Sequence, residues 1–145
     1  MHEFGGKLYY DWNDHNSDIE QITHMDFNYK HIISIYRGSL VIGTHLSNID
    51  NIPLSIIQFQ TRDGNDKKPK FLLNLLPQDK EVDVLVIDDI VDSGKTMNVI
   101  KEFLIDLYPK CNFRFQTIFG NKGKNNDVEY LREQYGKWIV FPWEI

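Results

Sequence analysis

Cysteine is almost missing from this chain: Cys111 stands alone among 145 residues. No internal disulfide can form, which suits a reducing compartment and sets the expectation of a cytoplasmic protein. Cys111 sits in YPKCNF with nothing nearby that resembles a nucleophile's base, so it reads as unreactive. Long apolar runs are also absent. None approaches the roughly 18 residues of a membrane span. The opening MHEFGGKLYYDW has neither the basic start nor the apolar centre of a signal peptide. Positive charge is in deficit, with a formal net charge of −5. Nucleic-acid binding, which needs a basic face, is therefore not expected. There is no internal repeat and no low-complexity tract. What remains is 41% apolar and 26% charged, ordinary for a globular protein, so one domain over residues 1–145 with its own core is expected.

The most informative stretch is VLVIDDIVDSGKTM, Val84 to Met97. Val84, Leu85, Val86 and Ile87 form a continuous apolar run, as in a strand buried on both faces. Asp88 and Asp89 follow at its carboxyl end, where open α/β sheets bind ligands. Ser93-Gly94-Lys95-Thr96 then opens an amphipathic helix and puts backbone N–H groups at a helix start, a ready anion site. Asp92 is the odd member. A carboxylate in an anion-binding turn is unfavourable unless it has another task, such as accepting a proton or holding a metal. Gly94-Lys95-Thr96 also suggests a Walker A loop, but that motif needs a glycine five positions earlier, and position 89 is aspartate.

Along the chain, Lys7 to Trp12 alternates as a short strand. Ser17-Asp18-Ile19-Glu20 has a capping-box pattern and predicts a helix to about His24. His31 to Tyr36 is an apolar strand, Arg37-Gly38-Ser39 a turn, and Leu40 to about Leu46 a helix ending near Ser47-Asn48. Leu54 to Gln60 reads as a strand, and Thr61 to Lys70 as a polar loop. Phe71 to Leu76 is ambiguous between strand and helix. After the Val82 to Ile87 strand, a helix carries Val99, Ile100, Phe103, Leu104 and Leu107 on one face and stops before Pro109. Phe113 to Phe119 is a strand, Asn121 to Asn126 a loop, Asp127 to Gln134 a short helix and Lys137 to Phe141 a final strand. Strands alternating with helices predict parallel βαβ units in a three-layer α/β core.

The apolar strand, acid pair and Asp-Ser-Gly-Lys-Thr turn resemble the phosphoribosyl-pyrophosphate (PRPP) motif of type I phosphoribosyltransferases. Asp88, Asp89, Asp92, Ser93, Gly94 and Thr96 all match. The resemblance implies that Ser93, Gly94, Lys95 and Thr96 hold the 5′-phosphate. It implies that Asp88 and Asp89 hold the ribose hydroxyls and Mg²⁺, and that Asp92 handles a purine proton as general base. The plainer alternatives are a solvated acidic pair and an Asx-type turn residue. Arg37-Gly38 resembles the family's first loop, which binds pyrophosphate and often contains a cis peptide. Arginine offers a fixed fork of donors there, and glycine lets backbone come close. An ordinary turn with a surface arginine is the alternative.

The ending Trp138-Ile139-Val140-Phe141-Pro142-Trp143-Glu144 resembles that of small bacterial xanthine-guanine phosphoribosyltransferases. By that resemblance Trp138 stacks on the purine and Ile139 offers its carbonyl to the group at purine position 2. Trp143 reads as structural. Tyr108-Pro109-Lys110 and Thr117-Ile118-Phe119 resemble the same enzymes, in which a lysine soon after the phenylalanine meets the purine 6-oxo group. Asn121 or Lys122 fits that place here, with Lys124 a weaker candidate and a solvated loop lysine the alternative. The family's mobile loop usually begins with Ser-Tyr. This chain has Phe59-Gln60-Thr61-Arg62, although Arg62, Lys67 and Lys68 still offer positive charge.

The resemblance, traceable over most of the chain, implies a type I phosphoribosyltransferase fold with a mainly parallel sheet and a small hood from the terminal segments. It implies transfer of 5-phosphoribose from Mg²⁺-PRPP to guanine, xanthine or hypoxanthine, with assembly as dimers or tetramers. Two alternatives stay open: a ligand-sensing regulator of the same fold, and an enzyme acting on a pyrimidine or modified base.

Overall fold

The computed structural model describes residues 1–59, 68–123 and 127–145. A hairpin of β1 (His2–Phe4) and β2 (Lys7–Tyr9) leads into helix α1 (Trp12–Thr23). Then come β3 (His31–Tyr36), α2 (Leu40–Asp50), β4 (Leu54–Gln58), β5 (Lys70–Leu73), β6 (Asp83–Ile90), α3 (Lys95–Leu107), β7 (Asn112–Gly120), β8 (Val128–Glu133) and β9 (Trp138–Val140). The main sheet has the order β5-β4-β3-β6-β7-β8. Its strands run parallel except β5, which pairs antiparallel with β4.

The continuous apolar run of β6 has a simple cause. Its side chains alternate between two buried faces, as the period of a strand requires. Leu85 and Ile87 join Ile32, Ile42 and Leu46, with Ile19 and Ile22 of α1, in one core cluster. Val84 and Val86 join Ile33, Ile35, Met97, Ile100 and Leu104 in the other. The layers are thus α1 and α2, then the sheet, then α3. The chain ends form a second sheet, β1-β2-β9. In it Lys7 pairs with Trp138 and Tyr9 with Val140 across a parallel ladder. The three-layer core, the mainly parallel sheet and the terminal hood are as the sequence implied.

Several elements depart from expectation. Asp127 to Gln134 was read as a helix, but Val128–Glu133 is the edge strand β8. Its local sequence is charged and helix-compatible, and long-range contacts decide the outcome. It pairs with β7, and Arg132 forms two bonds to Asp18 of α1, Nε to Oδ2 at 2.8 Å and Nη2 to Oδ1 at 3.0 Å. Tyr10 donates its hydroxyl to the same carboxylate at 2.8 Å, so the buried Asp18 is fully partnered, as an enclosed charge must be. Helix α1 begins earlier than Ser17 because Asp11 and Asp14 form the capping box: the Asp14 N–H donates to Asp11 Oδ1 at 2.8 Å and the Asp11 N–H to Asp14 Oδ2 at 3.0 Å. The first strand accordingly stops at Tyr9 rather than Trp12. The ambiguous Phe71 to Leu76 falls partly in β5 and otherwise outside helix and strand. The inner face of α3 buries Met97, Ile100 and Leu104 but leaves Leu107 exposed. Among the described residues no helix is long and apolar enough to cross a membrane.

His31 and His15 are each 1% exposed. His31 Nε2 lies 2.7 Å from Ser55 Oγ, and His15 Nε2 lies 3.0 Å from His45 Nδ1. Burial lowers both from 6.5 to about 4. As pH falls below 6.5 the unfolded chain takes up protons that the fold refuses until about 4. The unfolded state binds more protons in that window, so stability declines as pH drops through it. Urea midpoints measured from about pH 7 down to about 4 should fall steadily, and His31→Gln should flatten the slope.

Candidate active site

Strand β6 carries the acid pair at its carboxyl end, still within the ladder: Asp88 lies opposite Thr117 and Ile90 opposite Phe119 of β7. Each carboxylate turns back onto the next amide. The Asp89 N–H donates to Asp88 Oδ1 at 2.9 Å, and the Ile90 N–H donates to Asp89 Oδ1 at 2.7 Å. By surface area the two residues are half-buried, yet the surrounding protein is close enough that burial dominates their titration. Burial, reinforced by the neighbouring Asp89 carboxylate, raises Asp88 well above the usual carboxylate range. Burial also raises Asp89.

After β6 the chain turns outward. Val91 and Met97 are buried on the α3 side of the sheet, while Asp92, Ser93, Lys95 and Thr96 are exposed between them. Two apolar anchors therefore present the intervening polar turn to solvent. Gly94 caps α3 with φ +80°, a left-handed conformation that glycine adopts without a Cβ penalty. Ser93 Oγ accepts from the Lys95 N–H at 3.4 Å. The turn and Asp88 line a cavity of about 170 Å³. At a share of about 30 Å³ per water, it is roomy enough for a phosphate group. A larger hollow of about 500 Å³ runs from Thr23 to Pro53. Its walls precede β3 and β4, so it lies at the amino ends of the strands, away from the edge where such sheets take ligands.

The loop after β3 faces the acid pair. Its Tyr36–Arg37 peptide is cis, and Arg37 is exposed. A Cβ added to Gly38 would stand 2.5 Å from Asp89 Oδ2 and 2.8 Å from Asp89 Cγ. Glycine is needed there because the backbone runs against a carboxylate. Ser39, fully buried, fixes the approach. Its Oγ accepts from the Ile35 N–H at 2.9 Å and reaches the carbonyls of Ile35 at 2.9 Å and Ile87 at 2.8 Å. The loop is thereby fastened to β6 one residue before Asp88.

In β9, Trp138 is 69% exposed while Ile139 next to it is 4% exposed. Trp138 presents its ring to solvent, and Ile139 is committed to the core through its side chain. Trp143 stacks on Phe141 with ring centroids 4.8 Å apart, consistent with its structural reading. Lys122 is exposed, and its backbone N–H donates to Glu133 Oε1 at 2.9 Å. Asn121 instead reaches the turn, donating Nδ2 to Asp92 Oδ1 at 3.2 Å and to Gln134 Oε1 at 3.1 Å. Arg62, Lys67 and Lys124 lie outside the described residues. Lys68 lies just before β5. Cys111 is unremarkable: burial pushes its thiol up, away from the reactive thiolate.

The site thus gathers Arg37-Gly38, Asp88-Asp89 and Asp92 to Thr96 at one sheet edge. Gln134 was missed by sequence reasoning, because its segment was assigned to a helix. Had β8 been recognised as a parallel strand, its carboxyl end would have pointed to Gln134. Ser39 was taken only as a turn residue, since nothing local reveals a hydroxyl tie to a strand 48 positions on.

Polar turns at the carboxyl edge of a three-layer α/β sheet define a ligand-binding protein of the open-sheet class. The phosphoribosyl transferase domain matches residues 9–145, and the chain belongs to that family as a phosphoribosyltransferase. It is 27% identical over 120 residues to a xanthine-guanine phosphoribosyltransferase of Cereibacter sphaeroides, a match spanning 79% of this chain and 68% of that relative. The crystal structure of a purine phosphoribosyltransferase from Pyrococcus horikoshii superposes with a TM-score of 0.79 at 26% identity, covering 95% of this chain and 94% of the other. A Helicobacter pylori xanthine-guanine-hypoxanthine phosphoribosyltransferase shares the fold, with a TM-score of 0.77 at 21% identity over 96% and 94% of the two chains.

Gly38→Ala should lower stability by about 1–3 kcal/mol through overpacking, measured by urea titration. In an Asp89→Ala background, which removes the opposing carboxyl, the same change should have little effect.

Proposed function

We propose that this protein transfers 5-phosphoribose from PRPP to a 6-oxopurine (guanine, xanthine or hypoxanthine) and releases pyrophosphate. The observation that carries the reading is the outward-facing turn Asp92 to Thr96, with its cavity beside Asp88. Similarity to bacterial xanthine-guanine phosphoribosyltransferases favours a purine acceptor, as does the exposed ring of Trp138.

In this reading the amides and hydroxyls of Ser93, Gly94, Lys95 and Thr96 receive the 5′-phosphate, where a helix start favours an anion. Asp88 and Asp89 accept hydrogen bonds from the ribose diol. Arg37 and the thin backbone at Gly38 face pyrophosphate. Trp138 stacks on the purine, the Ile139 carbonyl meets the group at position 2, and Lys122 approaches the 6-oxo group. Purine N9 attacks C1′ as the bond from C1′ to the pyrophosphate oxygen breaks, and that oxygen leaves with the electron pair. The purine gives up the proton at N7, and Asp92 receives it. Alignment of both reactants and stabilisation of charge at C1′ supply most of the acceleration.

Mg²⁺ fits the acid pair. It takes one or two carboxylates together with substrate phosphates and water. Among the described residues no group of three His, Cys, Asp or Glu is placed to hold a metal by protein ligands alone. Asp88 and Asp89 are oxygen donors whose charge burial disfavours, so a cation there would be welcome. When bound, it would offset the charge of the pyrophosphate. A dimeric or tetrameric assembly belongs to the same reading through the resemblance, and a cytoplasmic setting through the lone cysteine.

Incubation with PRPP, Mg²⁺ and each of guanine, xanthine, hypoxanthine and uracil should yield nucleotide with at least one purine. PRPP binding without product would favour the regulator. Asp92→Asn should cut kcat by about 10²–10⁴-fold with PRPP affinity retained, as read by steady-state kinetics and calorimetry. Trp138→Ala should raise the purine KM several-fold while leaving the PRPP KM unchanged.

A further inference from the structure

The carboxyl ends of three neighbouring strands stand side by side. The Val91 N–H donates to the Phe119 carbonyl at 3.0 Å, and the Gln134 N–H to the Gly120 carbonyl at 2.9 Å. Asp92, Asn121 and Gln134 are therefore brought into a row just past β6, β7 and β8. Their side chains form a chain of hydrogen bonds whose direction is fixed at both ends. The Lys137 carbonyl can only accept, so Gln134 presents Nε2 to it, at 3.0 Å. Gln134 Oε1 is then the atom facing Asn121, and Asn121 presents Nδ2, at 3.1 Å. The Asp92 carboxylate independently demands a donor, and receives the same Nδ2 at 3.2 Å. An amide nitrogen has two protons, and both are committed: one to Asp92 and one to Gln134.

We propose that Asn121, braced by Gln134, is a positioning residue for the proton-accepting carboxylate of Asp92. It occupies Oδ1 and leaves Oδ2 as the oxygen that receives the purine proton. The inference deepens the transferase reading and rests on Asp92 acting as the base. Asp92 lies in an exposed turn, and a short side chain there samples several rotamers unless something holds it. The brace also ties the base to the platform, because the Lys137 carbonyl that anchors Gln134 immediately precedes Trp138. One line of hydrogen bonds thus sets the distance between the residue that orients the purine ring and the residue that takes its proton. The Asn121 side chain has no donor left for the purine, so the 6-oxo group is met by another group.

A double-mutant cycle in the whole protein tests this. Asn121→Ala should lower kcat about 10–100-fold, the scale of a misplaced catalytic group, with the PRPP KM unchanged. Asn121→Asp, equal in shape but a carboxylate facing a carboxylate, should lose at least as much while melting near the parent temperature. Gln134→Ala should lower kcat in the same direction. In an Asp92→Asn background, Asn121→Ala should cost nothing further, because a residue that acts through Asp92 has nothing left to position. Losses that multiply across the two sites, or a parental kcat in Asn121→Ala and Asn121→Asp, would overturn the assignment while leaving the transferase reading intact. An absence of turnover in the unsubstituted protein with every purine would overturn the transferase reading, and this inference with it.

Discussion

Two consecutive carboxylates at the end of a buried strand are an expense for any fold, and this protein concentrates that expense where the strands end. Burial raises both Asp88 and Asp89, and Asp88 also feels its neighbour's charge. Protein amides satisfy one oxygen of each. A site of this kind is stabilised by whatever brings positive charge or hydroxyl donors to it, and anything that binds only the folded state adds to stability. The facing loop is thinned to glycine at Gly38 because that acid pair leaves no space for a Cβ.

The sheet edge gathers its groups from segments far apart in sequence, and this explains what could be read in advance. The apolar run Val84 to Ile87, the acid pair and the turn Asp92 to Thr96 are local, so composition and spacing exposed them. Parallel strands with a hood from the chain ends followed from the alternation of elements together with the family resemblance. The clustering of Arg37-Gly38 against Asp89 was legible only as an implication of that resemblance. Its physical cause, a backbone grazing a carboxylate, needed coordinates.

The failures share one origin. Val128 to Glu133 looks helical by itself and becomes a strand through its ladder with β7 and the double bond of Arg132 to Asp18. That error concealed Gln134, and with it the brace on Asp92. Helix α1 was started late because Asp11 and Asp14 cap it as an acid pair, a variant outside the usual Ser/Thr and Glu/Gln pattern. In each case contacts that are not inscribed in local periodicity decided the structure.

The hydroxyl of Ser39 has a single proton, and two carbonyls compete for it, one on β3 and one on β6. That sharing works only at one chain length. An insertion anywhere between Tyr36 and Leu40 would drag the oxygen off both strands at once, so the segment has little freedom to grow, unlike an ordinary surface connection. Diversity in this protein's descendants should accumulate elsewhere, with residues 36–40 constant in length even where their side chains drift.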